Sequence, residues 1–141
     1  MVSKMDEGII RLANALDTED MIGFTRAFVE DFKTGRNCVN RELLPWIEDI
    51  DKGWTGVLCL GMGGSAAGGD FLATLCDHKG AVPVRCHRGY DIPSWCTPDW
   101  LVISTSYSGN TEETLSSTVQ AMDMGATVVV IASGGELAGL S

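Results

Sequence analysis

The stretch LVISTSYSGNTEETL, residues 101–115, decides the fold. Three apolar residues, Leu101 to Ile103, lead into a run of hydroxyl side chains with a glycine and an asparagine, and then into helical spacing from Thr111 to Met124. An unbroken apolar run of this kind suits a strand buried on both faces, as in a parallel sheet covered by helices. The same order of strand, small polar turn and helix opens earlier, where Val57 to Leu60 runs into LGMGGSAAGGD and a helical segment from Ala66 to Cys76. Two more short apolar runs, Ala81 to Val84 and Val128 to Ala132, complete four expected strands. The order βαβ(loop)βαβ predicts an α/β fold, an open three-layer αβα sandwich.

Strand order follows from what the two turns would have to do together. Adjacent strands lie about 4.8 Å apart, so turns after strands one and three converge only when those strands are neighbours. The flavodoxin-like order 2-1-3-4 achieves this, with the crevice at the switch point, whereas order 3-2-1-4 inserts strand two between them. The chain reaches SGGELAGLS soon after the fourth strand, so the sheet is expected to stop before a fifth.

The first fifty residues carry a different period. Ile9, Leu12, Ala13 and Leu16 form one helical stripe, and Met21, Phe24, Phe28 and Phe32 form a second that ends near Gly35. Asp17, in the break, can cap the second helix, and a third helical segment is expected from Val39 to Ile50 with Pro45 as a kink or late start. Residues 1–52 are therefore expected to be a helical segment packing on the core, and residues 53–141 the α/β domain.

Composition limits the ligand. The 141 residues are 45% hydrophobic and 21% charged, enough for one core, and the net charge is -9 with the acids scattered. That field disfavours nucleic acid or an anionic membrane as partner, and any bound anion must be held locally. The five cysteines include no C-x-x-C pair, so neither a disulfide framework nor a metal site is implied, and a reducing cytoplasm fits. No apolar stretch approaches the ~18 residues of a membrane span.

The two turns are the candidate site. Gly61, Gly63 and Gly64 permit close approach by a ligand, and Ser65 stands where a helix begins, with unpaired amides and partial positive charge that favour an anion. In the second turn Ser106, Ser108 and Thr111 can donate hydroxyl hydrogen bonds, Gly109 lets the backbone turn towards a ligand, and Asn110 is expected to cap the helix. Glu113 then falls at the third helical position, and both Glu112 and Glu113 suit the positive helix end while pointing away from the ligand. Three or four such donors, each worth roughly 1.5–3 kcal/mol to a charged acceptor, can hold a phosphomonoester without arginine.

A dinucleotide site is the rival reading of the first turn, since Gly61-x-Gly63-x-x-Ala66 fits G-x-G-x-x-A. That pattern wants an acid at the end of the second strand, and here the strand runs into Arg85, Cys86, His87 and Arg88. Arg85, His87 and Arg88 are instead candidates for sugar contact. His78, in CDHKG, reads as a cation at a helix end, and Trp54, Trp95 and Trp100 read as packing residues.

The motifs GMGGSAAGGD (61–70), SYSGNTEETL (106–115) and SGGELA (133–138) resemble the sugar isomerase (SIS) domain, and specifically the N-terminal half of the bifunctional phosphoglucose/phosphomannose isomerase family. The resemblance spans most of the chain from Val57 to Leu140. It implies a phosphosugar (glucose, mannose or fructose 6-phosphate) whose phosphate is bound by Ser65, Ser106, Ser108 and Thr111 beside the backbone of Gly63 and Gly64. It also implies aldose–ketose isomerisation to fructose 6-phosphate without metal or cofactor, and a homodimer. The glutamate, histidine and lysine that the family uses for proton transfer lie in its second SIS domain, so no catalytic residue is assigned here and turnover by this chain alone is left open. Two alternatives remain: a regulatory SIS module that senses phosphosugar without turnover, and an NAD(P)-binding domain.

Overall fold

The computed structural model describes residues 4–39, 42, 44–48, 53–80 and 82–140, and the chain divides into two compact units, Met1–Ile47 and Glu48–Ser141. In the first unit, α1 (Lys4–Leu16) and α2 (Met21–Cys38) are joined by a short break. Asp17 ends one helix and starts the next: its carboxylate accepts the amides of Met21 at 2.6 Å and Ile22 at 2.8 Å, which would otherwise be orphaned at a helix start. The stripe of Phe24, Phe28 and Phe32 is in place, and the last two rings lie 6.4 Å apart. Of the third helix expected over Val39–Ile50, the described residues show an extended Val39 and a 3-10 turn at Pro45–Ile47. Asn40, Arg41, Leu43, Asp49 and Ile50 lie outside the described residues.

The second unit is a parallel four-stranded sheet of order β2-β1-β3-β4. Its strands are β1 (Gly56–Leu60), β2 (Val84–His87), β3 (Trp100–Ser106) and β4 (Thr127–Ala132). Helix α3 (Gly63–Lys79) connects β1 to β2, α4 (Glu112–Asp123) connects β3 to β4, and a short α5 (Gly135–Ala138) follows β4. Pairing runs Leu60 with His87 on one side and Leu60 with Ser104 on the other, so β3 extends two residues past the end of β1. The order is the one that convergence of the two turns required.

Side chains alternate across each strand, which sorts the sheet into two faces. Helix α3 lies on the face of Cys59 and Cys86, so close that a Cβ on Gly69 would fall 2.6 Å from the Cys59 Cβ. The opposite face holds the core, where Leu58, Leu60 and Val102 pack with Ala121 of α4 and Cys96 of the β2–β3 connection. That connection has no helix, and its Ile92 packs against the core together with Trp100 at the start of β3. Gln120 clamps it to α4, donating to the Tyr90 carbonyl at 2.7 Å and accepting the Ile92 amide at 3.3 Å. The result is an αβα sandwich.

Several boundaries differ from the sequence reading, and β3 runs on to Ser106, taking Ser104–Ser106 of the expected polar turn into the strand. The second strand is Val84–His87 rather than Ala81–Val84, because Pro83 cannot donate to a ladder and supplies only its carbonyl, which accepts the Val57 amide at 2.9 Å. Ala81 lies outside the described residues. Helix α4 takes Thr111, not Asn110, as N-cap, since the Asn110 carboxamide is committed elsewhere, as described next. That moves Glu113 to the second helical position and removes the capping box. Helix α3 begins at Gly63 and therefore takes Ser65 into its first turn.

Candidate functional site

The carboxyl edge of the sheet carries both turns. They touch at their bases: a Cβ on Gly61 would lie 3.0 Å from the Thr105 carbonyl oxygen. The Ser65 amide turns back to the Met62 carbonyl at 3.0 Å, while helix geometry gives the amides of Gly63 and Gly64 no carbonyl inside the helix. The first turn of α3 contains no acidic residue, so its positive end is not neutralised from within.

A cleft of about 540 Å³ opens on the α3 face of this edge, lined by Met62, Gly64, Ser65, Thr105, Tyr107, Ile131, Ala132 and Ser133. The structure thus brings Ser65 together with Thr105, Tyr107 and Ser133, none of which the sequence singled out as site residues. Ser133 could have been found from its position, because Ser133-Gly134-Gly135 repeats after β4 the small-residue turn seen after β1 and β3. Tyr107 is 83% exposed at the cleft, as an aromatic wall rather than a core residue.

Ser106 and Thr111 stand on the other, α4 side of the same edge. Ser106, 2% exposed, accepts the Gly109 amide at 3.1 Å and shares a hydrogen bond with Thr111 at 3.0 Å. Ser108 is exposed and accepts the Asn110 amide at 3.2 Å. Each hydroxyl has a single proton, so one of the three is used between Ser106 and Thr111, and two remain to be donated outward. Below them Ser104 and Thr118 share a hydrogen bond at 2.5 Å, continuing the hydroxyl column into the sheet–helix interface.

Gly109 has φ +68, and a Cβ there would strike the Gly134 carbonyl oxygen, so only glycine serves. Within β2, two residues short of its carboxyl end, Arg85 is exposed and bonds the Val84 carbonyl at 3.1 Å. Arg88 forms an ion pair with Asp70 of α3, which holds the Asp70 carboxyl below its usual range. His87 is half-buried, with its Nε2 buried and unpartnered beside Gly89. By strand alternation Arg85 and His87 point to the face opposite the cleft. His78 is exposed in the last turn of α3, and the Trp95 and Trp100 rings pack 5.0 Å apart. Among the described residues no group of three His, Cys, Asp or Glu could hold a metal ion, and no helix is long and apolar enough to cross a membrane.

No family model matches the chain. Over 90 residues, 64% of this chain, it is 46% identical to the bifunctional phosphoglucose/phosphomannose isomerase of Caldicellulosiruptor bescii, of whose length it spans 25%. Among solved structures, a Bacillus subtilis protein assigned as a phosphosugar isomerase superposes with a TM-score of 0.61 at 25% identity, over 72% of this chain and 33% of that one. The α/β unit has the SIS fold. The NanR protein of Vibrio vulnificus, solved with ManNAc-6P, shares the SIS fold at a TM-score of 0.60 and 20% identity, over 94% of this chain and 53% of its own.

Proposed function

We propose that the SIS unit binds the phosphate of a phosphosugar at the carboxyl edge between β1 and β3. The observation that carries this reading is the contact of two hydroxyl-bearing turns at adjacent strand ends, one of them the acid-free start of α3. The similarity to the isomerase of C. bescii and the ManNAc-6P bound to NanR support a sugar phosphate as the ligand class. Ser108 and the Ser106–Thr111 pair donate from one turn, and Ser65 with the amides of Gly63 and Gly64 from the other. Gly109 keeps the approach free of side chain. Arg88, which its ion pair with Asp70 holds on the α3 face, is assigned to the sugar, whereas Arg85 and His87 point to the other face.

The chemistry proposed for the whole protein is interconversion of glucose or mannose 6-phosphate with fructose 6-phosphate. That step moves a proton between two carbons and needs an acid and a base near neutrality, which a second SIS domain would supply. This chain alone is then expected to bind and to turn over slowly or not at all. A homodimer in the cytoplasm completes the proposal, and the five unpaired cysteines fit a reducing compartment.

Calorimetric titration with fructose 6-phosphate tests the site. Replacing Ser106, Ser108 and Thr111 together by Ala removes two outward protons and is expected to weaken binding roughly 100-fold or more. A folded triple variant that binds as tightly as wild type would rule the site out.

A further inference from the structure

We infer that the turn after β4 and the start of α5, residues 133–137, are the positioning element of the phosphate turn, setting Ser108 through backbone contact. The inference rests on the phosphosugar reading above and assigns a task to a segment that reading does not use. The turn is held at three acceptors. The Tyr107 carbonyl accepts both the amide, at 3.3 Å, and the hydroxyl of Ser133; the Gly109 carbonyl accepts the Leu137 amide at 2.9 Å; the Asn110 Oδ1 accepts the Glu136 amide at 3.0 Å.

Two glycines then interlock the loops. A Cβ on Gly109 would strike the Gly134 carbonyl oxygen, and one on Gly135, at φ +73, would strike the Ser108 carbonyl oxygen and fall 2.7 Å from the Asn110 Oδ1. The backbones touch with no side chain between them, so a shift of the second loop moves Ser108 directly. Asn110 is committed to this lock, which is why it does not cap α4.

The test sets Gly135→Ala beside Gly125→Ala. Gly125, between α4 and β4 at the amino end of the sheet, has φ +84 with nothing within 4 Å of a Cβ, so alanine there carries backbone strain without pushing on the turn. Titrated with fructose 6-phosphate, Gly135→Ala is expected to lose about tenfold or more in affinity, the loss expected for one misplaced charge-assisted donor. Gly125→Ala is expected to bind as wild type. Amide resonances of Ser108 and Gly109 should move in the first variant and stay in the second. Should Gly135→Ala fail to fold, Asn110→Ala removes the Glu136 acceptor without a clash and is expected to bind roughly 3- to 10-fold more weakly. Equal affinity in Gly135→Ala and Gly125→Ala, or in Asn110→Ala and wild type, overturns the inference and leaves the phosphosugar reading intact. Wild type that binds neither fructose 6-phosphate nor inorganic phosphate overturns both.

Discussion

Ser106 is a buried relay rather than a free donor. It takes the Gly109 amide and shares one proton with Thr111, and hydrogen bonds linked in this way strengthen one another. The local half of this arrangement was legible, because Ser106, Ser108, Gly109 and Thr111 lie within six residues of one another. The task of Asn110 was not, because its partner amide is 26 residues away. Cys59 was legible as a core residue, and burial makes it a measurable one. Desolvation, reinforced by Cys86 and Asp70, pushes its thiol from 9.0 up to about 11. The folded chain therefore holds that proton more tightly than the unfolded chain, so the stabilisation is whole below about pH 9 and is lost as pH rises towards about 11. Urea unfolding across that window should show about 2–3 kcal/mol less alkaline loss in Cys59→Ala than in wild type. Equal losses would contradict it.

At the scale of elements, strands β1 and β4 sit where continuous apolar runs put them, β3 runs three residues past its apolar run to Ser106, and β2 slid three residues to Val84–His87. An edge strand tolerates the exposed Arg85, so hydropathy carried no signal for it, and the ladder to β1 with Pro83 at its start fixed the register instead. Helix starts moved for a related reason: local rules favour Asn110 as a cap, and a tertiary hydrogen bond overrode them. The helix-free β2–β3 connection depends on one side chain in the same way. Replacing Gln120 by Ala removes its bonds to Tyr90 and Ile92 and should cost about 1–2 kcal/mol. It should also raise the exchange rate of the Ile92 amide well above that of amides in β3. Unchanged Ile92 protection would show that the core contacts of Ile92 and Trp100 hold the connection by themselves.

For the whole molecule, the question the proposal raises is how a chain of net charge -9 would hold a dianion. The proposed donors are hydroxyls, amides and a helix end, with Arg88 already paired to Asp70 and Glu112 and Glu113 in the first turn of α4. Short-range dipoles act within hydrogen-bond distance, where salt screens them little, whereas the repulsion from the distributed acids reaches across the domain. Raising the salt from about 0.01 M to about 0.15 M shortens the screening length from about 30 Å to about 8 Å. It therefore removes repulsion faster than attraction. Affinity for fructose 6-phosphate is expected to hold or rise over that range, measured at constant pH with a weakly coordinating salt. A phosphate site built on lysine or arginine behaves the opposite way, losing affinity as its cations are screened. A steep fall with salt would transfer the phosphate from the serine turns to Arg88, the cation just past the end of β2.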